Sequence, residues 1–176
     1  MSKGIVSGLV LLTIGLVAGF LLAFVNSFTA PKILAYEQQL KYDAIGEFYD
    51  LSTYTITEVP VTTGGAVDTL YKVLDGNTTV AIVYSVKSFG YQSEIKMLIA
   101  IKSDLTVEGY KIVDQAETSG YGTQAPDHDF QMDGVTVGDL STFDAIAGVT
   151  YTSNAVKACF TAVFDRAATD FGGDAS

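Results

Sequence analysis

TLYKVLDGNTTVAIVYSVKSFGYQSEIKMLIAIKSDLTVEGYKIVD, residues 69–114, decides the fold. Val, Ile, Tyr and Thr dominate it, and its pattern has period two, the spacing at which side chains alternate between the faces of a sheet. Turn residues interrupt it at Asp75-Gly76-Asn77, at Gly90 and at Ser103-Asp104. The spacing predicts strands at Thr69–Leu74, Val80–Phe89, Glu94–Ser103 and Val107–Asp114, with another at Thr53–Val59 ahead of a turn at Gly64-Gly65. Parallel pairing needs crossovers of about a dozen residues or more, so these short connections predict an antiparallel meander.

Upstream the period becomes helical. Ile33, Leu34, Leu40, Ala44, Ile45 and Phe48 recur at the spacing of one helix face, and Thr29-Ala30-Pro31 is expected to end the preceding helix and start this one. From Gly4 to Val25 there is no charge, and the run matches the roughly 20 apolar residues that cross a bilayer core. A signal peptide has a shorter apolar region, about 7–15 residues, closed by a small-residue cleavage site. Here Gly8, Gly15 and Gly19 lie inside the run, where small residues permit close helix packing in lipid. The run reads as a retained anchor, residues 1–28, followed by one domain, residues 29–176. No cysteine follows it closely enough for a lipoprotein anchor. Lys3 before the span and Lys32 after it leave the side of the membrane open.

Partitioning resolves a conflict in the composition. The chain of 176 residues is 48% apolar and only 17% charged, yet carries a net charge of −10. The apolar excess sits in the anchor and the acid in the domain. Without clustered Lys and Arg, nucleic-acid binding is excluded on electrostatic grounds. A lone Cys159 excludes an intramolecular disulfide and a multi-cysteine zinc site, and its apolar neighbours place it in a core.

Downstream, ETSGYGTQAPDHDFQMDG (117–134) has no periodicity, and long loops of this kind are functional or disordered. Val137–Phe143 is expected to form a short helix. A last helix carries Ala155, Val156, Cys159, Phe160, Val163, Phe164 and Ala167 on one stripe, with Thr152 or Ser153 as its N-cap and a frayed tail over Gly172–Ser176. The fold class is α+β. His128 is the only histidine, and no nucleophile motif surrounds it. Asp129, Gln131, Asp133 and Gly134 imitate a calcium loop, but its twelfth position is Leu140 where a bidentate Glu is required.

The segment DAIAGVTYTSNAV (144–156) places a hydroxyl-rich turn before a helix N-terminus, where free N–H groups and the dipole favour a phosphate. The alternative is that Thr150, Thr152 and Ser153 are simple capping residues. Asp144-x-x-Ala147-Gly148-Val149-Thr150 followed by x-Thr152-Ser153-x-Ala155-Val156 resembles the flavinylation motif D-x-x-[ST]-G-A-[TS]-x-T-S-x-A-V. That motif belongs to FMN-binding domains, found in the G subunits of Rnf-type electron transport complexes and the C subunits of sodium-pumping NADH:quinone reductases. Glu117-Thr118-Ser119-Gly120-Tyr121-Gly122-Thr123 is similar to the family's E-T-P-G-L-G loop, and Thr29-Ala30-Pro31 to its T-A-P exit from a single membrane helix. Ala147, Val149 and Ser119 depart from the usual residues, while the acceptor hydroxyl is present.

The resemblance implies an extracytoplasmic domain on a single-pass anchor in the cell (inner) membrane. It implies FMN joined covalently to Thr150 by a separate, magnesium-dependent flavin transferase using FAD. Glu117, Thr118, Gly120, Tyr121, Gly122, Thr123, Asp144, Gly148, Thr152 and Ser153 would complete the cofactor site, with Glu117 lowering the flavin potential by its charge. The implied function is a non-catalytic electron relay in an ion-translocating ferredoxin:NAD oxidoreductase, beside a second flavin subunit and iron-sulfur subunits. A quinone-reductase subunit, a free-standing flavin relay and a cofactor-free extracellular binding module are the competing readings.

Overall fold

A computed structural model describes residues 3–61 and 65–172. Gly64 of the expected Gly64-Gly65 turn and residues 173–176 of the expected frayed tail lie outside the described residues. The chain divides into two compact units, Met1–Leu40 and Lys41–Ser176.

The first unit is helical. Helix α1 spans Lys3–Phe48 and has Pro31 in its interior, so the expected break at Thr29-Ala30-Pro31 is corrected. Proline removes one backbone N–H and crowds the preceding turn, yet the helix here runs through it. Hydroxyls before it turn inward, Ser27 Oγ donating to the carbonyl of Phe24 and Thr29 Oγ1 to that of Val25. The side chains from Gly4 to Val25 are exposed, which suits lipid as solvent. α1 is long and apolar enough to cross a membrane, a single-pass topology.

The second unit is built on a five-stranded sheet of order β1-β2-β3-β4-β5: β1 Thr55–Pro60, β2 Val67–Asp75, β3 Thr78–Phe89, β4 Glu94–Lys102 and β5 Val107–Asp114. Every neighbouring pair is antiparallel, with Tyr84 opposite Ile99 and Ile99 opposite Tyr110. The expected meander is therefore present. Alternation along β3 and β4 feeds two separate cores. Ile82, Tyr84 and Val86 with Ile95, Met97, Ile99 and Ile101 face one side, while Ala81 and Val83 with Leu98 and Ala100 face the other. Burial on both faces explains why these central strands read as near-continuous apolar runs.

The last two turns of α1 cover the second face, burying Ala44 and Ile45, whereas Ile33 and Leu34 of the expected apolar face are exposed. Lys41 with Asp68 and Lys111 with Glu47 form ion pairs at the edges of this layer. Helix α2, Thr150–Gly172, covers the first face. All seven residues of its predicted stripe are buried, each contributing on the order of 1.5–3 kcal/mol when large and apolar. The helix begins at Thr150, so Thr152 and Ser153 belong to its first turn and neither is the N-cap.

No helix forms over Val137–Phe143. Instead the chain bridges the start of β5: Val107 donates to the carbonyl of Val135, Gly134 to that of Val107, and Val137 to that of Leu105. Gly138 at φ +96° then turns it away. A residue in the left-handed region cannot sit inside a right-handed helical turn, and Gly138 is the second residue of the expected helix, which is why the local helical pattern fails there.

Candidate functional site

Three segments converge at one end of the sheet: the β3–β4 hairpin turn, the glycine loop after β5, and the turn leading into α2. The hairpin closes when Gly90 N–H donates to the carbonyl of Ser93 at 2.8 Å. Glu117 reaches into this turn, although a carboxylate is rarely buried, and is only 6% exposed. Its Oε1 accepts from the amides of Gln92 (3.0 Å) and Ser93 (2.9 Å) and from Ser93 Oγ (3.3 Å). Its Oε2 accepts from the amide of Tyr91 (3.1 Å) and from Thr152 Oγ1 (2.8 Å).

Burial alone would raise the Glu117 carboxyl, but the donors from Ser93, Gln92, Thr152 and Tyr91 outweigh it and hold the group below its ordinary range. Two glycines make room for this arrangement. A Cβ on Gly90 would lie 2.6 Å from Glu117 Oε1, and one on Gly122 would lie 2.5 Å from Glu117 Cβ.

The glycine loop is shaped by its own side chains. Gly120 N–H donates to Thr123 Oγ1 at 3.0 Å, Thr118 Oγ1 donates to Gln92 Oε1 at 3.0 Å, and a 3-10 turn over Gly122–Asp127 follows. In the turn before α2, Gly148 adopts φ +79°, a left-handed conformation that glycine takes without strain. Ser153 Oγ accepts from the amide of Ile146 at 3.1 Å, tying this turn down. Asp144 lies outside the cleft, its carbonyl 3.0 Å and its carboxylate 3.5 Å from His128 Nε2.

Between these segments lies a cleft of about 310 Å³. Tyr91 lines it from the hairpin; Glu117, Thr118, Tyr121 and Gly122 line it from the glycine loop; Gly148 to Thr152 line it from the start of α2. Of the residues singled out from sequence, Glu117, Thr118, Tyr121, Gly122, Gly148, Thr150 and Thr152 are thereby brought together. Gly120, Thr123, Asp144 and Ser153 are not part of the lining; the first two shape the loop and the last two anchor the turn. Tyr91, Val149 and Tyr151 line the cleft without having been singled out. Tyr91 and Tyr151 pair at 5.8 Å between ring centroids and are both largely exposed. The Gly-Tyr dipeptide at a hairpin turn was the available signal for the first, and adjacency to Thr150 for the second.

The three hydroxyls of the turn differ in availability. Thr152 and Ser153 are each 1% exposed and committed to the bonds just described, whereas Thr150 is exposed at the cleft. Helix starts leave their first N–H groups without intrahelical partners, and no acidic residue occupies the first turn of α2 to compete for them. An exposed hydroxyl, a helix N-terminus and tyrosine rings around one cleft suit a phosphate joined to a planar aromatic system.

Residues 90–165, which carry all of the cleft lining, match the family model described as an FMN-binding domain. The match begins at the hairpin turn and ends within α2. A relative is the G subunit of the proton-translocating ferredoxin:NAD(+) oxidoreductase complex of Clostridium ljungdahlii, 31% identical over 114 residues, covering 58% of this chain and 62% of the relative. Over these residues the chain is similar to the FMN-binding domain family and to the G subunit of that complex. It spans less than two thirds of that curated relative's length.

Proposed function

We propose that this chain is a membrane-anchored electron carrier holding FMN covalently on Thr150, within an Rnf-type complex that oxidises ferredoxin and reduces NAD. The observation that carries the attachment site is the state of the three hydroxyls: Thr150 alone among Thr150, Thr152 and Ser153 is exposed to the cleft. In the modification, Thr150 Oγ would bond to the FMN phosphorus of FAD as the pyrophosphate link breaks, AMP leaving and the hydroxyl proton passing to solvent. A separate magnesium-dependent flavin transferase supplies that catalysis.

When bound, FMN supplies the redox chemistry. The chain's part is to hold it. The helix N-terminus would take the phosphate in place of lysines, and Tyr91, Tyr121 and Tyr151, which line the cleft, would offer aromatic faces to the ring. A covalent link prevents loss of the cofactor, which supports placing the domain, residues 29–176, on the extracytoplasmic side of the cell membrane with residues 1–28 as anchor. The relative belongs to a ferredoxin:NAD(+) oxidoreductase complex, which favours the Rnf-type complex over a quinone reductase. Its partners would be a second flavin subunit and iron-sulfur subunits.

Co-expression with a flavin transferase tests the assignment. Intact mass and in-gel fluorescence of the denatured protein should show a flavin adduct in wild type and in Thr150→Ser, and none in Thr150→Ala. An unmodified wild-type mass, or an adduct that survives Thr150→Ala, would overturn it.

A further inference from the structure

Glu117 sits in the cleft wall in a manner that a simple charge near a redox group does not require. Its five donors are all uncharged and come from two segments, the 91–93 turn and the first turn of α2, while Glu117 itself belongs to a third. An ionised carboxylate is acceptor-only and has about four lone-pair sites, so this group is filled by the structure around it. Gly90 and Gly122 close on the side chain so tightly that neither tolerates a Cβ. Ser93 extends the link, its Oγ also accepting from the amide of Ala116 at 2.9 Å.

We infer that Glu117 is a positioning residue: its carboxylate clamps the hairpin turn and the start of α2 to the glycine loop, and so sets the width of the cleft and the depth at which a ring tethered to Thr150 sits. This deepens the flavin reading of the cleft and rests on it. The link to the attachment point is short, because Thr152, the α2 residue that Glu117 holds, is two residues from Thr150. The five donors also neutralise much of the carboxylate's field, as oriented backbone amides do around an anion. Position, then, is the means by which Glu117 affects the ring, and Thr152 shares the role although it carries no charge.

The test compares wild type, Glu117→Gln and Thr152→Val as full chains in detergent after flavin loading, with loading checked by intact mass. Glutamine places an N–H2 against groups that are themselves donors; valine keeps the shape of threonine and removes one strut. Both variants should raise acrylamide quenching of the bound flavin on the order of twofold and shift its midpoint potential, and Glu117→Gln should speed amide exchange at residues 91–93 on the order of tenfold. A shift of potential in Glu117→Gln with quenching and exchange at wild-type values would show a charge effect and overturn the clamp. If Glu117→Gln does not fold, Thr152→Val decides alone: unchanged quenching refutes the proposal. A wild type without flavin would refute the flavin reading instead. The exchange comparison still decides the clamp then, Thr152→Val being expected to loosen residues 91–93 together with the first turn of α2.

Discussion

Glu117 shows how far a residue's role depends on its partners. From sequence it is an acid near a cofactor; in the structure it is a buried acceptor satisfied by five donors. Its folded carboxyl is held below the ordinary glutamate value of 4.5. The unfolded chain therefore takes up this proton first on acidification, and the stabilisation is present above that value and lost as pH falls through the folded one. Thermal melts of the full chain in detergent should show stability falling as pH drops below about 4.5, with a shallower fall in Glu117→Gln, for linkage reasons; equal slopes would exclude this contribution. Cys159 is the contrasting case, where burial pushes the thiol up to about 12 and leaves a small apolar side chain. Its reading from sequence as a core residue holds because its neighbours are apolar whichever partner they meet.

Among the elements, α2 was the most legible. Seven apolar residues at helical spacing have only one way to be buried together, and all seven are. Phe160 is fully buried and meets the rings of Tyr110, Phe143 and Phe164. Phe160→Ala should cost about 3–5 kcal/mol, and chemical denaturation of the full chain should detect it; a loss below about 1 kcal/mol would mean the site collapses around the cavity. The strands were legible for a similar reason, each agreeing with its predicted span to within about two residues. Where reading failed, a distant partner intervened. In the 137–143 segment, Val137 is held against Leu105 and Gly138 turns away at φ +96°, so no helix starts. α1 continued through Pro31, since one missing N–H does not end a helix whose flanking turns on both sides remain helical.

For the whole molecule, the unequal distribution of apolar and acidic residues corresponds to two units with different surroundings. The helical unit exposes its apolar side chains, and the sheet unit buries its own in two cores. An acidic domain is better placed away from anionic cytoplasmic lipid, which agrees with the external placement proposed above. A reporter at the C-terminus of the full chain should be active on the extracytoplasmic side only; a cytoplasmic signal would overturn that topology.

Period and composition are local quantities, and they alone determined the membrane helix, the five-strand meander, the α2 stripe and the segments from which the cleft is built. Thr150 came forward through the resemblance of a contiguous motif, residues 144–156, to a family pattern, not through period or composition. Only the tertiary structure decided which hydroxyl is left available, that Tyr91 joins residues far along the chain in the cleft wall, and that the Glu117 carboxylate is occupied by the hairpin turn and Thr152. Hydrogen bonds between residues 24 to 35 positions apart depend on how the strands and α2 stack, and a one-dimensional pattern does not carry that distance.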